Sequence, residues 1–487
     1  MKVMLIQPPY IILDTEAKSC HPPLGLAYIA ASLKDRHEIK VLDAIAEGFY
    51  SERPEANGYT TYGLSFESIR EEIKAFNPDA VGVSCLFSTQ AKNVHRIFAL
   101  TKELNSKIIT IVGGAHPSAM PKEVLTDRNI DYVVIGEGEE TVRELLERIE
   151  KKKDFSDIQG LAFYKDSEIA IQDKNNFENN LDSLPLPAWE LFPLRKYFSL
   201  NRPHGGISKS GSVLPVITSR GCPYRCIFCS IHTIWGRKYR TRKAEAVLNE
   251  IDYLISKFGI KGLIFDDDNL TFDRERSVKI FRGMIEKEFN LSWSLPNGVF
   301  IATLNRDLLS LMKKSGCYSI SMAVESGDEE ILKKIKKPLN LAKAKRIIKF
   351  IQDLKFEIAV FFVVGFPFET KKQVKKTLRF ARQLKVDNVN FFFATPLPGT
   401  ELFELCLSNN LLPNNLDFSV WRQDIPSLKP KDFSKEELGL MVEREKIKLR
   451  FYSIFRSPIK SLFKIKDKIL KEPEYFFKFI RKYFKYV

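Results

Sequence analysis

The feature that most constrains this chain is its alternation of short apolar runs with helical segments, laid out in two successive blocks. In the first 150 residues the runs are Lys2 to Gln7, Ile39 to Asp43, Ala80 to Ser84, Ile108 to Gly113 and Asp131 to Ile135. Helical patterns at Leu24 to Leu33, Ser65 to Phe76, Thr89 to Leu104 and Glu139 to Lys152 lie between or after them. Strands buried on both faces read as continuous apolar runs, and helices of this length supply the crossovers, so the block predicts an open parallel α/β sheet. Ligands bind beyond the carboxyl ends of such strands. That rule marks the loops Ser84 to Leu86, Gly113 to His116 and Gly136 to Glu139.

The second block has six such units, with strand-like runs at Leu214 to Thr218, Gly262 to Phe265, Leu291 to Leu295, Tyr318 to Val324, Glu357 to Val364 and Asn388 to Phe393. Six units fall short of the eight that close a full barrel, so a partial, open barrel is expected, with its functional loops after the strands. Between the blocks, GLAFYKDSEIAIQD reads as a hairpin and LDSLPLPAWELFP as a proline-rich linker. A chain of 487 residues exceeds what one hydrophobic core supports. The expected units are an α/β domain over 1–153, a linker over 154–204, a (β/α)6 core over 205–405 and a helical basic extension over 406–487.

The formal net charge of +15 is not spread over the chain. Residues 446–487 hold 13 Lys or Arg against three acidic residues, which leaves the body nearly neutral and argues against nucleic acid as a partner. The opening MKVMLIQPPY reads as a buried strand and not as a signal peptide, and the longest apolar run, Ile358 to Phe368, is too short to span a membrane. A cytoplasmic location is expected. Three of the seven cysteines crowd into CPYRCIFC while Cys20, Cys85, Cys317 and Cys406 are scattered, which is no disulfide framework.

Cys222, Cys226 and Cys229, spaced C-x-x-x-C-x-x-C, can ligate three irons of a 4Fe-4S cluster and leave the fourth open. A Cys3His zinc site completed by His232 is the rival reading, although structural zinc sites usually draw ligand pairs from separated knuckles. With Phe228 just before the last cysteine, the chain resembles the radical S-adenosylmethionine superfamily. The resemblance implies that the open iron takes S-adenosylmethionine, and that one electron from the cluster splits it to a 5'-deoxyadenosyl radical. By the same resemblance, Asp266 and Asp267 of FDDDN would receive the methionine ammonium. Glu325 and Ser326 of AVESG would meet the ribose or methionine end, and Gly365 of VVGFP and Pro396 of TPLPG would border the adenine. Taken singly, each also has a bland reading as turn former, solvated loop or helix cap.

In the first block Ser84-x-Leu86 is followed by Gly113-Gly114, and the pair resembles two elements of the cobalamin-binding fold; small residues let backbone approach a corrinoid closely. Gly136, Glu137 and Gly138 of the GEGE turn extend the likeness, and a plain helix start is compatible with it. Where that fold has Asp-x-His-x-x-Gly this chain has CHPPLGLAYIA, so His21 does not fit the spacing of a cobalt ligand, and His116 reads as a loop residue. The fold class expected is α/β: a Rossmann-like cobalamin-binding domain, a partial (β/α)6 TIM-type radical S-adenosylmethionine barrel, and a helical C-terminal extension.

The function implied is a cobalamin-dependent radical S-adenosylmethionine enzyme that methylates an unactivated carbon of a lipid or secondary metabolite, reduced by a donor such as ferredoxin or flavodoxin. Two alternatives stand beside it: a cyclase or carbon-skeleton enzyme of the same family, and a catalytically idle cobalamin or metal sensor. In the tail, Phe476, Phe479, Ile480, Tyr483, Phe484 and Val487 recur at helical spacing among lysines and arginines, and Ile459 to Leu470 suggests a further helix. Such a helix packs on its own domain or lies on an anionic membrane surface, at the inner face of the membrane.

Overall fold

The computed structural model describes residues 1–456 apart from 15, 387, 413–417, 419 and 420. The first sheet contains β1 (Lys2–Gln7), β2 (Glu38–Asp43), β3 (Ala80–Ser84), β4 (Ile109–Gly113) and β5 (Tyr132–Val134), extended by a hairpin of β6 (Leu161–Lys165) and β7 (Glu168–Ile171). The strand order is β7-β6-β5-β4-β3-β1-β2. The first five strands are parallel, and the hairpin adds to β5 antiparallel. The hairpin is therefore part of this sheet and not a free linker. The order reverses between β1 and β3, which opens a crevice at their carboxyl ends.

A three-stranded meander of Tyr10–Leu13, Tyr59–Tyr62 and Glu52–Pro54 flanks the crevice, with Tyr59–Tyr62 central and antiparallel to both neighbours. Pro54 lies in one of its edge strands, where a missing N–H is tolerated. The proline-rich segment is anchored by Trp189, which is fully buried, and by Ala188 N donating to Ala27 O at 3.0 Å.

The second sheet runs β8 (Val213–Val216), β9 (Gly262–Phe265), β10 (Ser292–Val299), β11 (Cys317–Glu325), β12 (Glu357–Val364) and β13 (Asn388–Phe393). All six are parallel and in sequence order, with β8 and β13 at the edges, so the barrel is open as expected. Its outer helices are fixed at their starts: Thr370 and Gln373 form a reciprocal capping box on Lys371–Leu384. A final helix, Lys435–Arg456, packs back on the barrel through Leu438 and through Arg382, which donates two bonds to Glu445 at 2.7 and 2.6 Å. The tail helices expected within 459–487 lie outside the described residues. Among the described residues no helix is long and apolar enough to cross a membrane.

The two sheets are locked together by a buried ion network. Arg220 and Arg240 sit on a two-stranded ribbon, Ser219–Arg220 with Arg240–Thr241, whose intervening segment carries the three cysteines. Arg220 reaches Glu139 at 2.6 Å and Glu137 at 3.2 Å, and Arg240 holds both oxygens of Glu137 at 2.7 and 3.0 Å. Burial opposes ionisation of Glu139, and Arg220 more than offsets it, holding the carboxyl below its usual range. That contribution to stability is complete above the unfolded carboxylate's value and is lost as pH falls through the folded one. Removing one partner leaves a buried charge uncompensated, a change that costs about 3–5 kcal/mol. Glu139→Gln or Glu137→Gln is expected to lower the thermal unfolding midpoint sharply, while Glu71→Gln, on an exposed face, leaves it almost unchanged; calorimetry on the three variants checks this.

Candidate active site

β3 and β4 end together, with Ser84 paired to Gly113, so the loops that follow leave the first sheet side by side. Gly114 has φ +119°, and a Cβ there would stand 2.6 Å from the Cys85 carbonyl oxygen; only glycine lets the two loops approach so closely. Ser84, Leu86, Gly113, Gly114, Gly136, Glu137 and Gly138, named separately from sequence, all line one cavity of about 460 Å³. Its facing wall comes from the second sheet: Ile217 after β8, Asp266 and Asp268 after β9, Asn297 in β10, and Ile231, Ile234 and Trp235 just after the cysteines. Leu86 is 47% exposed and Phe87 51% exposed beside it, apolar surface suited to a large flat ligand.

The GEGE turn plays two parts. Gly136, with φ +74°, shapes the cavity wall, while the carboxylate of Glu137 is committed to Arg220 and Arg240 and also accepts from Glu178 N at 3.1 Å. Expected as a corrinoid contact, Glu137 is held instead as a brace between the sheets.

The three aspartates of FDDDN differ in kind. Asp267 turns into the core, where its carboxylate accepts from Thr218 N at 3.1 Å, from Thr218 Oγ1 at 2.7 Å and from Ser219 Oγ. It does not line the cavity, and the expectation that it receives the methionine ammonium is corrected on that ground. Asp266 faces the cavity and accepts from His21 Nε2 at 2.9 Å, leaving its Oδ1 buried without a partner. His204 N donates to His21 Nδ1 at 3.3 Å, which assigns the ring proton to Nε2. Asp268 also faces the cavity with Oδ2 buried and unpartnered, and burial, together with its two acidic neighbours, pushes its carboxyl up to about 7. Two carboxylates, each with one oxygen left without a partner, thus line one cavity, and carboxylates are the acceptors an ammonium group requires.

Gly221, with φ +85°, starts the cysteine loop; a Cβ there would lie 2.4 Å from the Lys238 carbonyl. Ile227 N donates to Ile335 O at 3.2 Å, and Cys226 Sγ lies 3.9 Å from Lys336 O, so the loop rests on the segment after β11. Burial pushes the Cys226 thiol up to about 11 and the Cys229 thiol up to about 12. Among the described residues no three His, Cys, Asp or Glu side chains stand at metal-ligand spacing, the cysteines included. The donor chemistry nevertheless fits a thiolate-bound cluster: three cysteines on one short loop, with Lys337 beside them. The His232 ring is turned to the Cys229 carbonyl at 3.1 Å and not to the thiols, which disfavours Cys3His zinc.

The other expected contacts lie along the carboxyl edge of the second sheet. Glu325 ends β11 with φ +67° and pairs with Lys337 at 3.1 Å; burial opposes the charge on Lys337, and Glu325 and Cys226 restore it. Phe228 packs on Phe366 with ring centroids 6.0 Å apart, and Pro396 is buried after β13. Gly365 N donates to Glu369 Oε2 at 2.6 Å, and burial pushes that carboxyl up to about 8. Ser326 is spent on structure: its hydroxyl meets Thr377 Oγ1 at 3.0 Å and accepts from Asp328 N at 3.1 Å, so it offers nothing to a ligand. His116, likewise, is buried against Ser88 Oγ at 3.1 Å and does not line the cavity. Sequence reasoning missed His21, His204, Asp268, Asn297 and Lys337 as site residues; the third aspartate of the run was the one available signal.

Residues 10–146 match the B12 binding domain and residues 216–381 match the Radical SAM superfamily. A cytidylyl-2-hydroxyethylphosphonate methyltransferase of Streptomyces wedmorensis is 33% identical over 437 residues, covering 83% of this chain and 82% of the relative. An uncharacterized methyltransferase of Pyrococcus horikoshii is 30% identical over 475 residues, covering 97% and 96%. The solved structure of the cobalamin-dependent S-adenosylmethionine radical enzyme OxsB, with aqua-cobalamin and S-adenosylmethionine bound, matches with a TM-score of 0.72 at 17% identity, covering 95% of this chain and 72% of that one; the likeness is one of fold. With both domains in this order, a three-cysteine loop just before the residues that line their shared cavity, and two methyltransferase relatives matched over most of their length, the chain belongs to the cobalamin-dependent radical S-adenosylmethionine enzymes, whose cofactors are a 4Fe-4S cluster, S-adenosylmethionine and cobalamin.

Proposed function

We propose that this enzyme transfers a methyl group to an unactivated carbon of a small molecule held in the cavity between the two sheets. The observation that carries the reading is that single cavity: corrinoid-type loops form one wall, and Asp266 and Asp268, with the residues just after the cysteines, line the other. When bound, the cluster and S-adenosylmethionine supply the radical that removes a substrate hydrogen, and the corrinoid supplies the methyl group.

The chain's own residues bind, align and seal. Cys222, Cys226 and Cys229 would hold the cluster. The Asp266 and Asp268 carboxylates would accept the S-adenosylmethionine ammonium, with Phe228, Glu325, Gly365 and Pro396 along the rest of that ligand. Ser84, Leu86, Gly113, Gly114, Gly136 and Gly138 would cradle the corrinoid. His21 donates to Asp266 across the interface between the sheets, and so orients a carboxylate on one side from a loop on the other. Ile217, Ile231, Ile234 and Trp235 make the wall apolar, which keeps water from a reactive intermediate. The Glu137–Arg220–Arg240 network fixes the separation of the two walls, so reacting groups meet without a search over orientations. No side chain has to act as a strong base.

A ferredoxin- or flavodoxin-type donor supplies the electron in this reading, and the basic tail makes peripheral membrane contact. Liposome flotation compares the full chain with one ending at residue 456: loss of binding to anionic vesicles on truncation is expected, and no binding by either removes the membrane role.

Cys229→Ser is expected to lower bound iron and abolish 5'-deoxyadenosine formation after anaerobic reconstitution, whereas an idle sensor forms none even in the parent. Asp268→Asn is expected to raise the KM for S-adenosylmethionine by about tenfold or more, the worth of a hydrogen bond to a charged group. Asp267→Asn, by contrast, should lower the unfolding midpoint. With S-adenosylmethionine labelled in its methyl group, product mass is expected to rise by one labelled methyl; loss of hydrogens with no added carbon would establish the cyclase alternative instead.

A further inference from the structure

Cys222, Cys226 and Cys229 are each partly exposed, so the surface around their loop is where an electron would enter. There the loop meets an unusual surface. Tyr224, between Cys222 and Cys226, packs on Phe300 with centroids 4.5 Å apart and on Phe272 at 6.0 Å, and Phe272 is 39% exposed. Just past Phe300 opens a second pocket, of about 340 Å³, lined by Arg274, Lys343, Arg346, Thr303 and Asn305 over Phe350.

The surroundings of this surface are basic. The stretch 331–352 has eight Lys or Arg and no acidic residue, and its Ile335 and Lys336 carbonyls support the cysteine loop. The exposed side chains of Arg225, Arg274, Lys333 and Arg346, grouped around this surface, have no ion-pair or hydrogen-bond partner among the described residues. Arg274 is moreover the first residue of helix Arg274–Glu286, where a cation opposes the helix dipole. An exposed aromatic rimmed by unpaired arginines is the composition of a protein interface, with arginine and aromatic residues as its anchors.

We propose that this face, with Phe272 as apolar anchor and Arg274 and Arg346 flanking the pocket, docks an acidic protein that carries one electron. The proposal rests on the cluster site read above. The carrier gives up one electron to the cluster held on the loop beneath Tyr224, and no bond is made or broken. Unpaired cations steer an acidic partner over a distance that salt shortens to about 10 Å at 0.1 M, so association should be fast at low salt and fall steeply as salt rises.

Flavodoxin serves as the acidic probe against the reconstituted full-length enzyme, with its dissociation constant read by titration calorimetry and cluster reduction read by absorbance. Arg274→Glu with Arg346→Glu is expected to weaken flavodoxin binding and slow reduction by flavodoxin by about tenfold or more, with reduction by dithionite unchanged. The milder Arg274→Gln with Arg346→Gln should fall between. Glutamate at 274 suits a helix start, so the fold is expected to persist, which a thermal melt verifies. High salt should bring the parent down to the level of the double variant. Parental affinity in the double variant would overturn the docking proposal, as would an equal loss in a charge-matched control that reverses Lys92 and Lys165. Failure of dithionite to reduce the parent would overturn the cluster reading, and the docking proposal with it.

Discussion

The guanidinium groups of Arg220 and Arg240, buried between two pairs of carboxylate oxygens, set the relation between the two sheets on which every later feature depends. Apolar packing alone is tolerant of small slides, because one methyl contact replaces another at little cost. A bidentate arginine–carboxylate pair is not tolerant, since displacement strands charges in a medium that cannot solvate them. The network also borders the cysteine loop, because Arg220 is two residues from Cys222. The same ion pairs that hold the corrinoid-type wall therefore hold the base of the cysteine loop.

This changes the meaning of the GEGE turn. Its glycines shape the cavity, but its acids serve the interface, and one short sequence does both because Gly136 bends the chain with φ +74° and lets Glu137 turn away toward Arg240. FDDDN shows the same economy. Asp267 braces the end of β8 through Thr218 and Ser219, and by being held there it presents Asp266 and Asp268 on either side of it to the cavity.

The strands were legible because they are continuous apolar runs with turn residues at their ends; Lys2–Gln7, Ala80–Ser84, Gly262–Phe265, Glu357–Val364 and Asn388–Phe393 coincide with their expected bounds. The meander was not legible, since YIIL, ERP and YTTY are too short to show a period and owe their pairing to one another. The corrinoid-type loops could be named because strand ends are where ligands bind, and all seven residues do line one cavity. The choice among Asp266, Asp267 and Asp268 could not be made, because it depends on how the chain rotates as it leaves β9. Ser326 illustrates the same limit: the strand end was right, but a threonine on a neighbouring helix, 51 residues away, takes up its hydroxyl. His21 was read only against the spacing of a cobalt ligand, and its actual partner is an aspartate 245 residues further on.

A strained residue and several unmet carboxylate oxygens lie at the carboxyl edge of the second sheet. Glu325 holds φ +67° without being glycine, a conformation that costs on the order of 1–3 kcal/mol and persists only where surroundings impose it. The imposition here is electrostatic: Lys337, buried beside the cysteines, draws the Glu325 carboxylate toward the loop. Asp266 Oδ1, Asp268 Oδ2 and Glu369 Oε1 are all buried without partners along the same edge. A fold selected only for stability would satisfy or remove such groups, since each buried acceptor left unpaired is unfavourable. Their concentration beside three cysteines and a cavity is explained if the missing partners arrive with the ligand, so that binding energy is collected where the chemistry occurs.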